Sequence, residues 1–181
     1  EAFFFYMTDG LKQYLEKSGK ADDIAVYKHW PETLRNCIIY SDPNKINQIM
    51  DNLFHNAIKF TSTGFIAFGI NKTTEHELEF YVQDTGPGIS EDKQQVIFDY
   101  FRKGEENHSR LYGGIGIGLS LSKVLAHLLE GNIRVSSRVN AGSTFYFSLP
   151  VEIHKEAWDK HLCQRRKTLY NQKRRFVRWS H

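Results

Sequence analysis

The chain has 181 residues, of which 40% are hydrophobic and 25% are charged, a composition typical of one soluble globular domain and not of a fibrous or disordered protein. No stretch approaches the ~20 apolar residues that a membrane-spanning helix needs, and Cys37 and Cys163 stand far apart, without a disulfide or metal-binding motif around either. The net charge of +3 is unevenly distributed, because residues 160–181 carry 8 Lys and Arg and no acidic residue, which leaves 16 basic against 21 acidic residues, a net of −5, in 1–159.

Hydrophobic periodicity predicts both helices and strands. In chain order, the predicted elements are a helix within 3–17, strands near 24–27 and 37–40, a helix after Asp42, strands near 65–70 and 78–83, a short helix near 91–98, a helix at 118–129, and a hairpin of 133–137 and 144–149. Ser41 or Asp42 can cap the second long helix, and Gly131 is expected to end the helix at 118–129. This mixture predicts an α+β fold in which helices pack on one face of a sheet.

The helix after Asp42 carries two polar residues on one face. Asn52 and Asn56 are four residues apart, and Lys59 follows three residues later. Asparagine is a poor helix former and costs free energy when it is buried without a partner. Two interpretations remain open: the amides bind a neighbouring loop, or their oxygens suit Mg²⁺ while the lysine suits phosphate.

Two glycine-rich segments follow. Asp84-Thr85-Gly86-Pro87-Gly88-Ile89 comes directly after a predicted strand, where a buried aspartate could accept a hydrogen bond from an exocyclic amine such as that of adenine. Ordinary turns use the same residues. Gly113-Gly114-Ile115-Gly116-Ile117-Gly118-Leu119 opens a helix, where free N–H groups and the helix dipole favour an anion. No Gly-Lys-Ser/Thr follows, so this segment is not a Walker P-loop.

In this order and spacing the motifs resemble the nucleotide site of the Bergerat-fold ATPases, which include histidine kinases, DNA gyrase B, MutL and heat-shock chaperones. Five segments are similar to histidine kinase motifs in particular: the N box at 48–61, the G1 box at 84–89, the F box at 97–101, the G2 box at 112–119 and the closing strand signal at 142–145. The resemblance covers residues 1–152 and implies a two-layer α/β sandwich with a mixed, mostly antiparallel sheet.

The resemblance also implies roles for single residues. Asn56 is expected to coordinate Mg²⁺, and Asp84 to bind the adenine amine of ATP. Further contacts with the nucleotide are expected from Gly86, Gly88, Ile89, Phe101, Gly114, Gly116, Gly118, Leu119 and Thr144. The residues expected to act on the phosphates are Asn52, Lys59, Lys103 and Arg110, the last two in a mobile lid at 102–113. Phe98 and Phe101 are expected mainly to anchor that lid.

The implied function is transfer of the ATP γ-phosphate to a histidine. Hydrolysing relatives carry Glu where this chain has Asn52, which favours transfer over hydrolysis. No phosphoacceptor segment is present, so we expect a longer parent protein that supplies a histidine-bearing dimerisation domain. We expect this parent to be a membrane-anchored homodimer that places the present domain in the cytoplasm. Its expected signalling partner is a response regulator receiver domain. Ile115 stands where such kinases often have Thr, which leaves open a degenerate, nucleotide-gated interaction module.

Residues 153–181 are interpreted as a basic tail, a linker or a vector-derived remnant. Leu162, Leu169 and Phe176 recur every seven residues, so a basic amphipathic helix is one possibility. A basic segment can bind nucleic acid, but a solvated tail is the simpler interpretation. Binding to nucleic acid is therefore not expected.

Overall fold

The computed structural model describes residues 2–31, 34, 37–72, 74, 76–99, 117–151, 153–155 and 176–178. Their helices are α1 (Ala2–Ser18), α2 (Pro43–Phe60), α3 (Glu91–Gln94) and α4 (Gly118–Leu128). Their strands are β1 (Ile24–His29), β2 (Cys37–Tyr40), β3 (Gly64–Lys72), β4 (Glu77–Asp84), β5 (Asn132–Ser137), β6 (Ser143–Pro150), β7 (Ile153–Lys155) and β8 (Phe176–Arg178). None of the described helices is long and apolar enough to cross a membrane.

Five strands form the main sheet in the order β1-β3-β4-β6-β5. β1 runs parallel to β3, and the other pairs are antiparallel. Side chains alternate between the two faces of a strand. The buried face carries the apolar residues Ile66, Phe68, Ile70, Leu78, Phe80, Val82, Phe145, Phe147 and Leu149, which form one core with α1, α2 and α4. The predicted α+β sandwich with a mixed, mostly antiparallel sheet is confirmed.

The position of β2 differs from the prediction, which placed all strands in a single sheet. It lies between β7 and β8 in a separate three-stranded sheet, antiparallel to both. Both partners come from beyond residue 152, and Phe176 begins a strand, so the heptad spacing does not continue there as a helix. Leu162 and Leu169 lie outside the described residues. A local pattern shows that a segment is extended, but not which distant segment pairs with it.

α2 is held at both ends by charged side chains. Asp42 caps its first turn, as predicted, by accepting hydrogen bonds from the backbone N–H groups of Asn44 at 3.0 Å and Lys45 at 3.4 Å. At the other end Lys20 Nζ donates to the carbonyl oxygens of Ile58 at 2.6 Å and Thr61 at 2.7 Å. A cation at this end complements the helix dipole. The sequence did not predict the role of Lys20.

α4 ends by a mechanism that differs from the predicted glycine cap. Glu130, with φ 58°, adopts the left-handed conformation, and Gly131 N donates to the carbonyl of Ala126 at 2.9 Å. Gly131 is needed for another reason. A Cβ atom at this position would lie 2.0 Å from the carbonyl oxygen of Ser148 in β6. The glycine therefore permits close contact between the end of α4 and the sheet.

Gly131→Ala should lower the free energy of unfolding by about 1–3 kcal/mol, the usual cost of overpacking. The matched control is Gly10→Ala, because a Cβ atom at Gly10 would meet no atom within 4 Å. Since Gly10 lies inside α1, that change should stabilise the protein by about 0.5–1 kcal/mol. Urea unfolding measures both effects, and equal effects of the two substitutions would contradict the proposed steric cause.

Candidate functional site

A cavity of about 1320 Å³ opens between α2, the segment that follows β4 and the beginning of α4. Ligand sites commonly occupy about 300–1,000 Å³. The predicted site residues that line it are Asn52, Asn56, Lys59, Asp84, Gly88, Ile89, Gly118 and Leu119. Phe101, Lys103, Arg110, Gly114 and Gly116 lie outside the described residues, as does the predicted lid at 102–113. The fold therefore gathers three separated sequence motifs around one cavity.

Asp84 is the last residue of β4 and reaches the cavity from the sheet. It is buried, with 6% of its surface exposed, and its Oδ1 accepts a hydrogen bond from Gly86 N at 2.8 Å. Burial raises the pKa of this carboxyl, and hydrogen bonds from the backbone of Gly86 and Ser143 offset part of the rise. Asp84 is thus a desolvated acceptor held in one orientation.

The segment after Asp84 packs closely against protein backbone. A Cβ atom on Gly86 would lie 2.8 Å from the carbonyl oxygen of Phe60. Gly88 has φ 73°, and a Cβ atom there would lie 2.1 Å from the carbonyl oxygen of Arg138. Close contacts with the end of α2 at Gly86 and with the β5–β6 turn at Gly88 therefore explain why a larger residue does not fit at either position. Their predicted approach to an adenine base stays a prediction.

Ser137 anchors this segment to the sheet. Its Oγ accepts a hydrogen bond from Ile89 N at 2.8 Å, donates to the carbonyl of Gly142 at 2.8 Å and lies 2.9 Å from Ser143 Oγ. A hydroxyl has one proton to donate. Because that proton goes to Gly142, Ser143 must donate to Ser137. Gln94 Nε2 adds bonds to the carbonyls of Ile89 at 2.7 Å and Ser137 at 2.9 Å.

Ser143 replaces Thr144 as the residue of the closing strand that faces the cavity. Ser143 pairs with Asp84 across the β4–β6 ladder, and Ser143 and Phe145 line the cavity. Thr144 pairs with Gln83 and belongs to the opposite face of the sheet, which differs from the predicted contact with the nucleotide. Alternation along the predicted hairpin, counted from Phe145, could have identified Ser143 in the sequence.

The polar face of α2 forms another wall of the cavity. Asn52 Nδ2 donates to the carbonyl of Gly118 and to Ser122 Oγ, both at 3.1 Å, so this amide does bind a neighbouring element. Asn56 is half-buried, and its side chain makes no hydrogen bond to any residue in the described part of the chain. Its amide oxygen is therefore available to a ligand. Lys59 is exposed, with Nζ 5.0 Å from the centre of the Phe60 ring.

The beginning of α4 presents backbone donors that have no acceptor among the contacts of the described residues. Ile117 occupies the capping position and has no side-chain bond to the helix, and the first helical hydrogen bond joins Leu121 N to its carbonyl at 2.9 Å. The N–H groups before Leu121 have no helical acceptor. Gly118 and Leu119 line the cavity at this point. With the helix dipole, these donors suit an anionic group such as phosphate.

Ser137→Ala should lower the free energy of unfolding by about 1–3 kcal/mol, because the partly buried Ile89 N would lose its acceptor. Ser136→Ala is the matched control, since Ser136 is the neighbouring strand residue and is exposed. Chemical denaturation monitored by fluorescence gives both values. An effect of Ser137→Ala no larger than that of the control would show that Ser137 does not anchor the segment.

Comparison with known proteins agrees with this geometry. The sequence profile of the family described as histidine kinase-, DNA gyrase B- and HSP90-like ATPases matches residues 41–153. The autoinducer 2 sensor kinase/phosphatase LuxQ of Vibrio vulnificus strain CMCP6 is 43% identical over 142 residues, which are 76% of this chain and 16% of the relative. The histidine-protein kinase BarA of Escherichia coli K12 is 37% identical over 120 residues, 64% of this chain and 13% of the relative. The chain thus corresponds to a small part of each.

Solved structures share the fold. The catalytic domain of histidine kinase ThkA, in a nucleotide-free form, superposes with a TM-score of 0.64 at 25% identity over 81% of this chain and 93% of that domain. Full-length ShkA in complex with AMPPNP gives a TM-score of 0.68 at 22% identity, over 83% of this chain and 30% of that protein. The chain belongs to the histidine kinase-, DNA gyrase B- and HSP90-like ATPase family, and it is homologous to the catalytic domains of sensor histidine kinases.

Proposed function

We propose that this domain binds ATP together with Mg²⁺ and transfers the γ-phosphate to a histidine on a dimerisation domain of the same parent protein. The observation that carries the proposal is the placement of a buried acceptor, Asp84, and of the uncapped beginning of α4 around one cavity. The carboxylate suits the exocyclic amine of adenine, and the helix N-terminus suits the phosphates. The family and the kinase relatives support the same assignment.

Mg²⁺ fits the donors that line this cavity. Within the described residues no group of three or more His, Cys, Asp or Glu side chains could hold a metal ion. Mg²⁺ is usually held by few protein oxygens together with substrate phosphates and water. The oxygen of Asn56 has no protein partner among the described residues and would supply such a ligand. A bound Mg²⁺ would neutralise charge on the phosphates.

The chemistry asks little of this chain beyond binding and orientation. A nitrogen of the acceptor histidine attacks the γ-phosphorus, the bond to the bridging oxygen breaks, and ADP leaves. Asp84 would fix the base, while Asn56, Lys59 and the N–H groups of α4 would hold the phosphates. Lys103 and Arg110 are proposed to offset charge on the transferred group. Asn52 offers no carboxylate that could activate water.

The parent protein's partners are part of the proposal. The relatives are sensor or hybrid signalling kinases by name, and the chain spans only 16% of the LuxQ relative. We propose that the remainder of the parent supplies the dimerisation domain and the membrane anchor, and that a response regulator receiver domain accepts the phosphate from the histidine. A homodimeric parent would place the acceptor histidine near this domain.

Asp84→Asn should abolish measurable ATP binding in calorimetry, because the amide places a donor where the adenine amine needs an acceptor. Asp92→Asn, at a fully exposed position outside the cavity, should leave the affinity unchanged. Since burial raises the pKa of Asp84, its charged form costs stability at neutral pH, above the unfolded pKa. The amide removes this buried charge and keeps one oxygen for Gly86 N, so the variant should stay folded, which thermal unfolding checks. Failure of the folded wild-type chain to bind ATP would refute the proposed function.

Asn56→Ala should remove most of the Mg²⁺ dependence of ATP binding, because the amide oxygen proposed to meet the metal is lost. Titrations of ATP with Mg²⁺ and with EDTA measure this dependence for each variant. Asn71→Ala, at an exposed position of β3, is the control. If Asn56→Ala keeps the full difference between the two titrations, another group must hold the metal.

A further inference from the structure

The contact between Asn52 and α4 defines the orientation of an amide in the proposed ATP site. Asn52 Nδ2 lies 3.1 Å from the carbonyl oxygen of Gly118 and 3.1 Å from Ser122 Oγ. The Gly118 carbonyl can only accept hydrogen bonds. The opposite orientation of the amide would place Oδ1 against this oxygen, so Nδ2 must face α4. The orientation of the Asn52 amide therefore follows from the Gly118 carbonyl, which can only accept a hydrogen bond.

Ser122 completes this arrangement. It is fully buried, and its Oγ donates to the Gly118 carbonyl at 2.9 Å. Its single proton is thereby used, and only an acceptor lone pair remains for Asn52. We call the Gly118 oxygen and Ser122 Oγ the acceptor pair. A side chain at position 52 that meets the acceptor pair must therefore be a donor.

The other polar atom of the Asn52 amide, Oδ1, lies near Gly118 at the beginning of α4. A Cβ atom built on Gly118 would be 3.5 Å from Asn52 Oδ1, and both residues line the cavity. With Nδ2 bound to the acceptor pair, Oδ1 is the amide atom that remains for a ligand in the cavity. A carboxylate at position 52 would place an oxygen against the Gly118 carbonyl, and Ser122 Oγ could donate to it only by giving up its own bond to that carbonyl, which is unfavourable in a partly buried site.

We infer that Ser122 is a positioning residue: with the Gly118 carbonyl it fixes the Asn52 amide with Oδ1 toward the cavity, and it selects a donor side chain at position 52 over a carboxylate. This inference rests on the proposed function, because the cavity is taken as the ATP site. It explains in physical terms why a water-activating glutamate is not accommodated at position 52. Ser122 acts through Asn52 and need not contact the nucleotide.

The first test uses the nucleotide-free protein and does not depend on ATP. The side-chain amide of Asn52 is observed by NMR in protein labelled with ¹⁵N-asparagine and is assigned by its loss in Asn52→Ala. Its hydrogen exchange should be slowed on the order of tenfold relative to an exposed asparagine, and Ser122→Ala should remove part of this protection, because only the bond to the Gly118 carbonyl then remains. Ser120→Ala is the matched control, because buried Ser120 bonds only to Ile117 O, at 2.9 Å, among the contacts described for it.

The second test measures Mg²⁺–ATP affinity by calorimetry. Ser122→Ala should weaken binding about fivefold, the equivalent of one neutral hydrogen bond, while Ser136→Ala, at an exposed position of β5 outside the cavity, should not. Ser122→Cys, whose sulfur is a weak acceptor, should weaken Mg²⁺–ATP binding by less than Ser122→Ala does. It replaces the alanine variant in both tests if that variant does not fold. Equal exchange rates in the Ser122 and Ser120 variants would overturn the inference even if the wild type binds ATP. A wild type that does not bind ATP would refute the proposed function, and the exchange measurement would still decide the role of Ser122.

Discussion

The register between β4 and β6 is the constraint on which the site depends. It pairs Asp84 with Ser143, so the last residue of one strand lies beside the first residue of the other. A slip by one residue would turn every side chain of β6 to the opposite face. Phe145, Phe147 and Leu149 would then leave the core, which makes such a slip costly. The burial of the core thus also fixes the position of the carboxylate in the cavity.

The same register brings the β5–β6 turn under the segment that follows Asp84. Ser137 lies close to that turn, and its Oγ accepts a hydrogen bond from Ile89 N. Within the turn, Asn140 N donates to the carbonyl of Pro87 at 2.7 Å. Two hydrogen bonds therefore tie the segment at 86–89 to the hairpin. Loops positioned by a rigid scaffold commonly carry binding residues. Here the scaffold is a hairpin about 50 residues later in the chain, and ladder pairing alone brings the two together.

α2 serves the core and the site at once. Its buried side is formed by Ile46, Ile49, Met50, Leu53, Phe54, Ala57 and Ile58. The Phe54 ring packs edge-on against Phe68 of β3, with ring centres 5.1 Å apart. Asn52 and Asn56 then fall beside this stripe, where the cavity begins. Because Asp42 and Lys20 hold the two ends of the helix, these amides are presented from a rigid element, which favours precise contact with a ligand.

The sequence by itself predicted the helices, the strands of the main sheet and eight of the residues that line the cavity. Amphipathic periodicity identified α2 and α4, alternation identified the β5–β6 hairpin, and the resemblance of the motifs predicted as site residues Asp84 and Asn56, which line the cavity. These signals are local, since each element shows its buried face within its own residues. Residues 100–116, which carry the predicted lid, lie outside the described part of the chain, so Lys103 and Arg110 stay predictions.

Only the tertiary structure decided which segments meet. The Asn52–Gly118 bond joins residues 66 positions apart, and no local pattern specifies it. The same holds for β2, whose partners come from beyond residue 152, and for Gly131, whose requirement is set by Ser148 in another strand. Alternation places Ser143 on the same face as Phe145, but its position beside Asp84 depends on the register between β4 and β6. Periodicity reports how each segment is buried, whereas partner choice depends on packing and hydrogen bonding between distant segments.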